Sequence, residues 1–249
     1  MDKGMKIRLF TLPNMLTLGN LLSGVLAIIV TLSDHNYALA FWLIVLAAVF
    51  DFLDGFAARL LNQQSPLGVQ LDSLADDVTF GVAPALVMFD LYNSTTSYYG
   101  LCPTLMHYLG YVVLIIAAFS VLRLAKFNID TTQSTEFCGL PTPANALLLL
   151  SLAMLYSGGS VALYQEFVLV ISVAMSLLLI SPIRMFALKF KGFGWRGNEL
   201  RYIFIALSLA IIILFARYAV LAIIVLYIVV STLRWLFAKG GDEAATPNK

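Results

Sequence analysis

The chain has 249 residues, of which 61% are hydrophobic and only 12% are charged. Soluble domains carry about 25% charged residues, so this composition excludes a soluble globular enzyme and a disordered chain. The formal net charge of +1 offers no basic surface to a nucleic acid, and two cysteines are too few for a disulfide framework or a zinc site. The composition is that of a membrane protein.

Eight hydrophobic runs follow one another along the chain, separated by Pro, Gly, Asn and charged residues. Because the runs are continuous and do not alternate with period two, they predict membrane-spanning helices and not the strands of a barrel. We therefore predict an all-α, polytopic fold of about eight transmembrane helices, with one transmembrane domain over residues 14–238. The predicted spans are 14–32, 38–61, 67–91, 106–126, 143–158, 164–181, 200–216 and 218–238.

The two ends of the chain are predicted to lie outside this domain. Residues 1–13 are short, basic and amphipathic, which fits an interfacial segment on an anionic leaflet or a frayed terminus that contributes only topogenic charge. Residues 239–249 have the composition of a disordered tail. With the N-terminus inside, Arg217 is the only one of the 15 lysines and arginines on an outer segment. This asymmetry predicts a cell (inner) membrane protein with both termini in the cytoplasm.

Acidic residues interrupt the second and third predicted helices. Of the 14 acidic residues, five lie between positions 51 and 77: Asp51, Asp54, Asp72, Asp76 and Asp77. A charged residue inside a span costs roughly 2.5–3.5 kcal/mol on insertion scales, and clustered carboxylates also repel one another. Such a cluster needs a bound cation. It predicts either metal-dependent phosphoryl chemistry or, as the alternative, a cation transport pathway.

Helical geometry brings four of these carboxylates together. On one helix Asp51 and Asp54 lie about 60° apart, and on the next Asp72 and Asp76 lie about 40° apart. If the two helices form an antiparallel hairpin, the carboxylates sit at two matched depths and make a cage of hard oxygen ligands for Mg²⁺ or Mn²⁺, with room for two ions. Asp77 lies about 100° from Asp76 and is predicted to point elsewhere.

The acidic segment resembles the signature of the CDP-alcohol phosphatidyltransferase family, D-x2-D-G-x2-A-R-x8-G-x3-D-x3-D, over residues 51–76. The segments 11–24, 71–85, 123–129 and 139–146 are also similar to the branch of that family whose acceptor is L-serine. Within this resemblance Asp77 stands where an apolar residue is expected. The resemblance implies a phosphatidyltransferase-type helix bundle in which an alcohol attacks the β-phosphoryl of CDP-diacylglycerol and CMP leaves.

The resemblance also implies roles for individual residues. Asp51, Asp54, Asp72 and Asp76 would bind metal, and Asp76 would also act as general base toward the serine hydroxyl. Gly55, Ala58 and Gly68 would let the nucleotide approach the backbone, unless they serve only close helix packing. Arg59 and Ser65 match family contacts to the lipid phosphates, although Arg59 could be only a topogenic charge. Asn14 and Thr17 are polar at i and i+3 and would line the nucleotide pocket or cap a helix.

The acceptor pocket is predicted on a later helix. Serine carries a carboxylate and an ammonium group, so its pocket needs a cation and hydrogen-bond acceptors. The candidate serine-binding residues are Arg123, Lys126 and Asn128. The positive-inside pattern of membrane proteins is the alternative explanation for the presence of Arg123 and Lys126. The alternative within the family is that the chain is a sister enzyme whose acceptor is glycerol 3-phosphate or an inositol phosphate. The expected partners are CDP-diacylglycerol, L-serine, membrane lipids and a second copy of the chain in a homodimer, with no nucleic acid.

Overall fold

The computed structural model describes residues 8–130, 136–186, 194–195 and 198–244. Most of these residues are helical, as the hydrophobic runs predict. In the described part the α-helices are α1 Leu12–Asp34, α2 Tyr37–Leu60, α3 Pro66–Asp76, α4 Ala83–Ser94, α5 Pro103–Gly110, α6 Ile115–Ile129, α7 Thr142–Ser157, α8 Gln165–Leu179, α9 Glu199–Phe215 and α10 Ala219–Ala244. A π-helix, Asp77–Val82, joins α3 to α4, and short 3₁₀ turns join α5 to α6 and α9 to α10.

Four helical segments of the described chain are long and apolar enough to cross a membrane. They are Leu12–Asp34, Tyr37–Leu60, Pro103–Ile129 and the 39-residue segment Glu199–Phe237. The stretch over 66–94 carries four aspartates, and α7 and α8 are shorter than a full span. The helices therefore begin and end close to the eight predicted spans, but only these four segments of the described chain qualify as crossings by length and composition, so eight crossings stay a prediction.

Two three-residue strands depart from the all-α prediction. β1 Glu136–Cys138 and β2 Arg184–Phe186 pair antiparallel, with Phe137 opposite Met185. Segments this short show no periodicity from which a strand could be predicted. They pair because the chain leaving α6 and the chain leaving α8 run side by side. Gly139 and Leu140 extend this contact by donating to the carbonyls of Ile183 and Leu178.

The ends of the chain can be compared with the predicted boundaries only in part. Residues 8–11 are not helical, and Leu9 and Phe10 are exposed, while residues 1–7 lie outside the described residues. At the other end α10 continues to Ala244, beyond the predicted end of the last span at 238. Residues 245–249 of the predicted tail lie outside the described residues, as do Lys189 and Lys191 between β2 and α9.

Helix α4 lies at the centre of the bundle. Val87, Met88, Leu91 and Tyr92 are fully buried in it, and α1, α7 and α8 pack around it. The first helix, α1, packs against α2, α3 and α4 in turn. α2 and α3 make few close backbone contacts, but the 61–65 turn joins them, and carboxylate oxygens of Asp51 on α2 and of Asp72 and Asp76 on α3 lie within 4.8 Å of one another, as in the predicted hairpin. The space between α2 and α3 is bridged by α1.

The turn between α1 and α2 is tied to the end of α4. His35 ends α1 with a positive φ of 51°, and its Nδ1 lies 2.9 Å from Oδ2 of Asp90. The hydroxyl of Tyr37 donates to the same oxygen at 2.8 Å. The hydrogen bond to Asp90 and the charge of that carboxylate raise the pKa of His35. These contacts hold α1, α2 and α4 together at the end of the bundle remote from the 61–65 turn.

α1 approaches the π-helix closely at Gly24. A Cβ at this position would lie 2.5 Å from Oγ1 and 2.8 Å from Cα of Thr79. We therefore expect Gly24→Ala to destabilise the protein by about 1–3 kcal/mol, because the backbone of one element must move. Thermal unfolding in detergent measures the effect.

The matched control for this prediction is Gly19→Ala on the same helix. There the nearest atoms belong to the Phe50 ring at 3.3 Å, and a side chain can move more easily than a backbone. A melting temperature of Gly24→Ala equal to that of Gly19→Ala would show that α1 and the π-helix are not in rigid contact.

Candidate active site

Three of the predicted metal ligands come together between α2 and α3. Carboxylate oxygens of Asp51, Asp72 and Asp76 lie within 4.8 Å of one another. All three side chains are partly buried, and Oδ1 of Asp72 is buried without a hydrogen-bond partner among the described residues. In the described chain no lysine, arginine or histidine lies within salt-bridge distance of them. The group fits a divalent cation, because clustered carboxylate oxygens are the hard ligands that Mg²⁺ and Mn²⁺ prefer.

Asp54 is set apart from this group. It is buried one turn along α2 from Asp51, and its Oδ2 accepts a hydrogen bond from the hydroxyl of Thr17 at 2.6 Å. It lies within electrostatic range of the other three carboxylates. Of the four carboxylates in the predicted cage, three have oxygens within 4.8 Å of one another, and Thr17 of α1 orients the fourth, Asp54.

A pocket of about 250 Å³ opens beside the carboxylates. It lies where α1, α2 and α3 meet at the 61–65 turn. All seven residues predicted to bind the CDP-lipid line it, together with Asp54 and Asp72. Those seven are Asn14, Thr17, Gly55, Ala58, Arg59, Ser65 and Gly68. The motif and the polar face of α1 thus share one cavity.

Helix-capping contacts shape one wall of the pocket. Ser65 is the N-cap of α3, and its hydroxyl accepts from the backbone N–H of Gly68 at 3.0 Å. Thr11 caps α1, which excludes Asn14 as the cap, and Asn14 Nδ2 donates to the carbonyl of Leu9 at 2.8 Å. A Cβ on Gly68 would lie 3.3 Å from the Ser65 hydroxyl and 3.5 Å from Asn14 Oδ1. Gly68 therefore keeps the floor of the pocket open.

Arg59 supplies the positive charge of the pocket. Its side chain is exposed, and a Cβ on Gly55 would lie 3.5 Å from its Nη1. Within the described residues Arg59 makes no salt bridge. A guanidinium without a carboxylate partner at the mouth of a cavity is available for a phosphate group.

The predicted serine-binding residues separate on α6. Arg123 is buried, interacts electrostatically with Asp76, and its Cζ lies 5.1 Å above the Phe127 ring. Lys126 is exposed on the next turn. Asn128 is also exposed, and its Nδ2 donates to the Ser73 hydroxyl at 2.8 Å. The structure therefore brings Arg123 toward Asp76, sets Asn128 against Ser73 at the surface, and leaves Lys126 exposed.

Asn20 is a site residue that the sequence analysis missed. Its Nδ2 donates to Oδ1 of Asp76 at 3.0 Å, and its own Oδ1 is buried with no partner in the described chain. The backbone carbonyl of Asn20 accepts from the Thr79 hydroxyl at 3.2 Å. The sequence did contain a signal for Asn20. A polar residue recurs every three positions on an otherwise apolar helix, at Asn14, Thr17 and Asn20, and such spacing forms one polar stripe.

Most of the chain matches a known protein family. The family model described as CDP-alcohol phosphatidyltransferase matches residues 10–178, which include α1, the motif, the π-helix and α6. The chain belongs to this family. The match covers the residues that line the pocket and the carboxylate group.

Curated relatives extend the similarity over nearly the whole chain. A protein of Helicobacter pylori (strain ATCC 700392 / 26695) is 30% identical over 237 residues, which are 92% of this chain and 92% of that protein. One of Bacillus subtilis (strain 168) is 37% identical over 59% of this chain and 77% of its own length. One of Methanocaldococcus jannaschii is 34% identical over 59% and 63%. Each is named CDP-diacylglycerol–serine O-phosphatidyltransferase.

Proposed function

We propose that the protein transfers the phosphatidyl group of CDP-diacylglycerol to the hydroxyl of L-serine and releases CMP. The observation that carries this proposal is the single cavity in which the motif residues meet, directly beside three carboxylates. Relatives named for this reaction align with the chain over as much as 92% of its length. Metal use is typical of the family, and the carboxylate group fits it.

The pocket suits the diphosphate and nucleotide of the lipid substrate. Arg59 provides a forked donor for phosphate oxygens. The N-terminus of α3 borders the same cavity through Ser65 and Gly68, and the positive end of the helix dipole favours an anion there. Gly55, Ala58 and Gly68 leave the backbone accessible. The diacylglycerol part would then extend into the bilayer along the apolar surfaces of α1 and α2.

The carboxylates provide the place for divalent metal. Asp51, Asp72 and Asp76 would hold one ion, and Asp54, oriented by Thr17, would complete the ligands for a second. Bound Mg²⁺ or Mn²⁺ supplies neutralisation of the diphosphate and stabilisation of the leaving CMP. Without it, three carboxylates in contact at membrane depth would repel one another.

The transfer itself requires one bond to form and one to break. The serine Oγ attacks the phosphorus that carries diacylglycerol, and the bond from that phosphorus to the oxygen of CMP breaks, so that CMP leaves with the electron pair. The serine hydroxyl proton passes to a carboxylate oxygen of Asp76, which must lie within hydrogen-bond reach as charge develops. Asn20 holds Asp76 in place through its other oxygen.

The same proposal includes the arrangement in the membrane. We propose eight crossings, with the 61–65 turn, the pocket and both termini on the cytoplasmic side of the inner membrane. The 39-residue segment Glu199–Phe237 is too long for one crossing, since a helix of about 20 residues spans the hydrocarbon core. It breaks at Ala216–Tyr218, and α9 then packs mainly against α10. A homodimer through this weakly buried C-terminal pair remains part of the proposal.

A panel of alcohols tests the proposed function. Purified full-length protein in mixed micelles receives CDP-diacylglycerol, with L-serine, glycerol 3-phosphate or an inositol phosphate, and with Mg²⁺, Mn²⁺ or Ca²⁺ varied. We expect CMP and phosphatidylserine to form with L-serine. Release of CMP only with glycerol 3-phosphate or an inositol phosphate would overturn the choice of acceptor. Cation flux into proteoliposomes without any CMP would instead favour a transporter.

A further inference from the structure

Two glutamines line the CDP-lipid pocket at positions that the family signature leaves open. Gln63 and Gln64 stand in the interval between Arg59 and Gly68, where the signature fixes no residue. Both side chains are exposed, and neither has a hydrogen-bond partner among the described residues. Because a side-chain amide can both donate and accept hydrogen bonds, the pocket offers two such groups to a ligand.

The backbone that carries these glutamines is held by the caps of two helices. Asn62 follows the end of α2 with a φ of 52°, the left-handed conformation of a Schellman motif. The N–H of Gln63 donates to the carbonyl of Ala58 at 2.9 Å, and that of Asn62 donates to the carbonyl of Arg59 at 3.4 Å, as this motif requires. Ser65 then caps α3. The turn therefore presents both side chains to the cavity from a backbone that is fixed at both ends.

The pocket has a charged end and a neutral end. Asp54 lies six residues before the end of α2 and Asp72 six residues after the start of α3, so both are about 9 Å along their helices from the turn. Arg59 reaches back toward the carboxylates, since its Nη1 lies 3.5 Å from the position of a Cβ on Gly55. A diphosphate that meets a metal ion at the carboxylates would therefore leave the nucleoside on the side of the turn.

Neutral amides suit a nucleobase better than a phosphate. A phosphate group only accepts hydrogen bonds, so cations and N–H donors bind it best, and an amide oxygen contributes nothing to it. The Watson–Crick edge of cytosine carries a donor, the N4 amino group, beside the acceptors N3 and O2. Enzymes that bind a single base read this edge through hydrogen bonds, and an amide that donates and accepts matches it.

We infer that Gln63 and Gln64 bind the cytosine base of the CDP-lipid through their side-chain amides. The inference rests on the proposed function and adds two base-binding residues to it. These contacts increase the affinity for the nucleotide. They leave the transfer step unchanged, because the carboxylates that serve it lie at the other end of the pocket.

Binding of CMP to the purified full-length protein in the presence of Mn²⁺ tests the inference without turnover. Gln63→Met and Gln64→Met keep the length of the side chain and remove its amide. Each is expected to weaken CMP binding about three- to tenfold, the contribution of one ordinary hydrogen bond, and the double variant more than either. Ribose 5-phosphate has no base, so its affinity, measured by displacement of CMP, should be the same in all these proteins.

Steady-state kinetics provide a second readout. In both variants the KM for CDP-diacylglycerol should rise by the same factor as the dissociation constant of CMP, while kcat and the KM for L-serine stay near those of the wild type. The matched control is Gln70→Met, because Gln70 is exposed on α3 but is not one of the residues that line the pocket. It should leave every one of these constants unchanged.

The possible outcomes separate this inference from the proposed function. Wild-type affinity for CMP in the double variant would overturn the inference, and so would an equal loss of affinity for CMP and ribose 5-phosphate, which would place the glutamines at the sugar or phosphate. In either case the proposed function would stand. A wild-type protein that binds no CMP in the presence of Mn²⁺ would contradict the proposed function itself.

Discussion

Replacing Asp76 by asparagine is expected to lower kcat by about 10²–10⁴-fold, the usual contribution of a general base, while CDP-diacylglycerol still binds. An asparagine has the same shape and keeps one oxygen for a metal ion, but it cannot accept the proton of the serine hydroxyl. Asn20 donates to Oδ1 of Asp76 at 3.0 Å, and its own Oδ1 has no partner in the described chain; if its amide turns over, that oxygen accepts from the introduced NH₂ group, and the new side chain keeps its one oxygen for the metal.

Two measurements separate the loss of the base from loss of the site. Release of CMP gives kcat, and equilibrium binding of CDP-diacylglycerol gives the affinity. Asp34→Asn is the control, because Asp34 is an exposed aspartate at the other end of α1. If Asp76→Asn kept a kcat near that of the wild type, another group would have to take the proton. If it lost substrate binding as well, Asp76 would act chiefly as a metal ligand.

Much of this site could be predicted from sequence because its signals are local. Asp51, Asp54, Asp72 and Asp76 stand out since charge is costly inside a membrane, whatever the fold around it. The helix ends also follow from local chemistry: Ser65 with Pro66 at the start of α3 is a capping pattern readable in the chain.

What could not be predicted depends on packing between distant segments. The spacing of Asp51 and Asp76 suggests a hairpin, but it contains no information that α1 would pack against both helices and keep them apart. The contact from Asn20 to Asp76 joins residues 56 positions apart, and the pairing of β1 with β2 is similarly remote. The π-helix has no sequence signal of comparable strength, yet it directs Asp77 toward α6.

The separation of α2 and α3 explains how one bundle holds both a charged group and a nucleotide. In a tight hairpin the small residues at Gly55 and Gly68 would bring the two backbones into contact. With α1 against both helices, the same small residues face a cavity instead. Asp54 and Asp72 belong to the wall of this cavity, so the lipid diphosphate and the metal ligands share a boundary.

We therefore expect the loss of the Asp72 carboxylate to weaken metal binding and CDP-lipid binding together. It is one of the three clustered carboxylates, it also lines the pocket, and its Oδ1 is buried without a partner in the described part of the chain. We expect Asp72→Asn to bind Mn²⁺ at least about hundredfold more weakly, since losing even an outer contact to a metal ligand costs 10–100-fold. CDP-diacylglycerol binding and turnover should fall with it.

Mn²⁺ binding to the purified full-length protein, measured without any substrate, makes this test independent of catalysis. Activity should disappear on treatment with a chelator and return when Mg²⁺ or Mn²⁺ is added back in excess. Asp34→Asn again serves as the control, because it removes the same charge far from the carboxylates. Wild-type Mn²⁺ affinity in Asp72→Asn would mean that the three contacting carboxylates do not share an ion. Activity that resists the chelator would mean that their mutual repulsion is offset by some other cation.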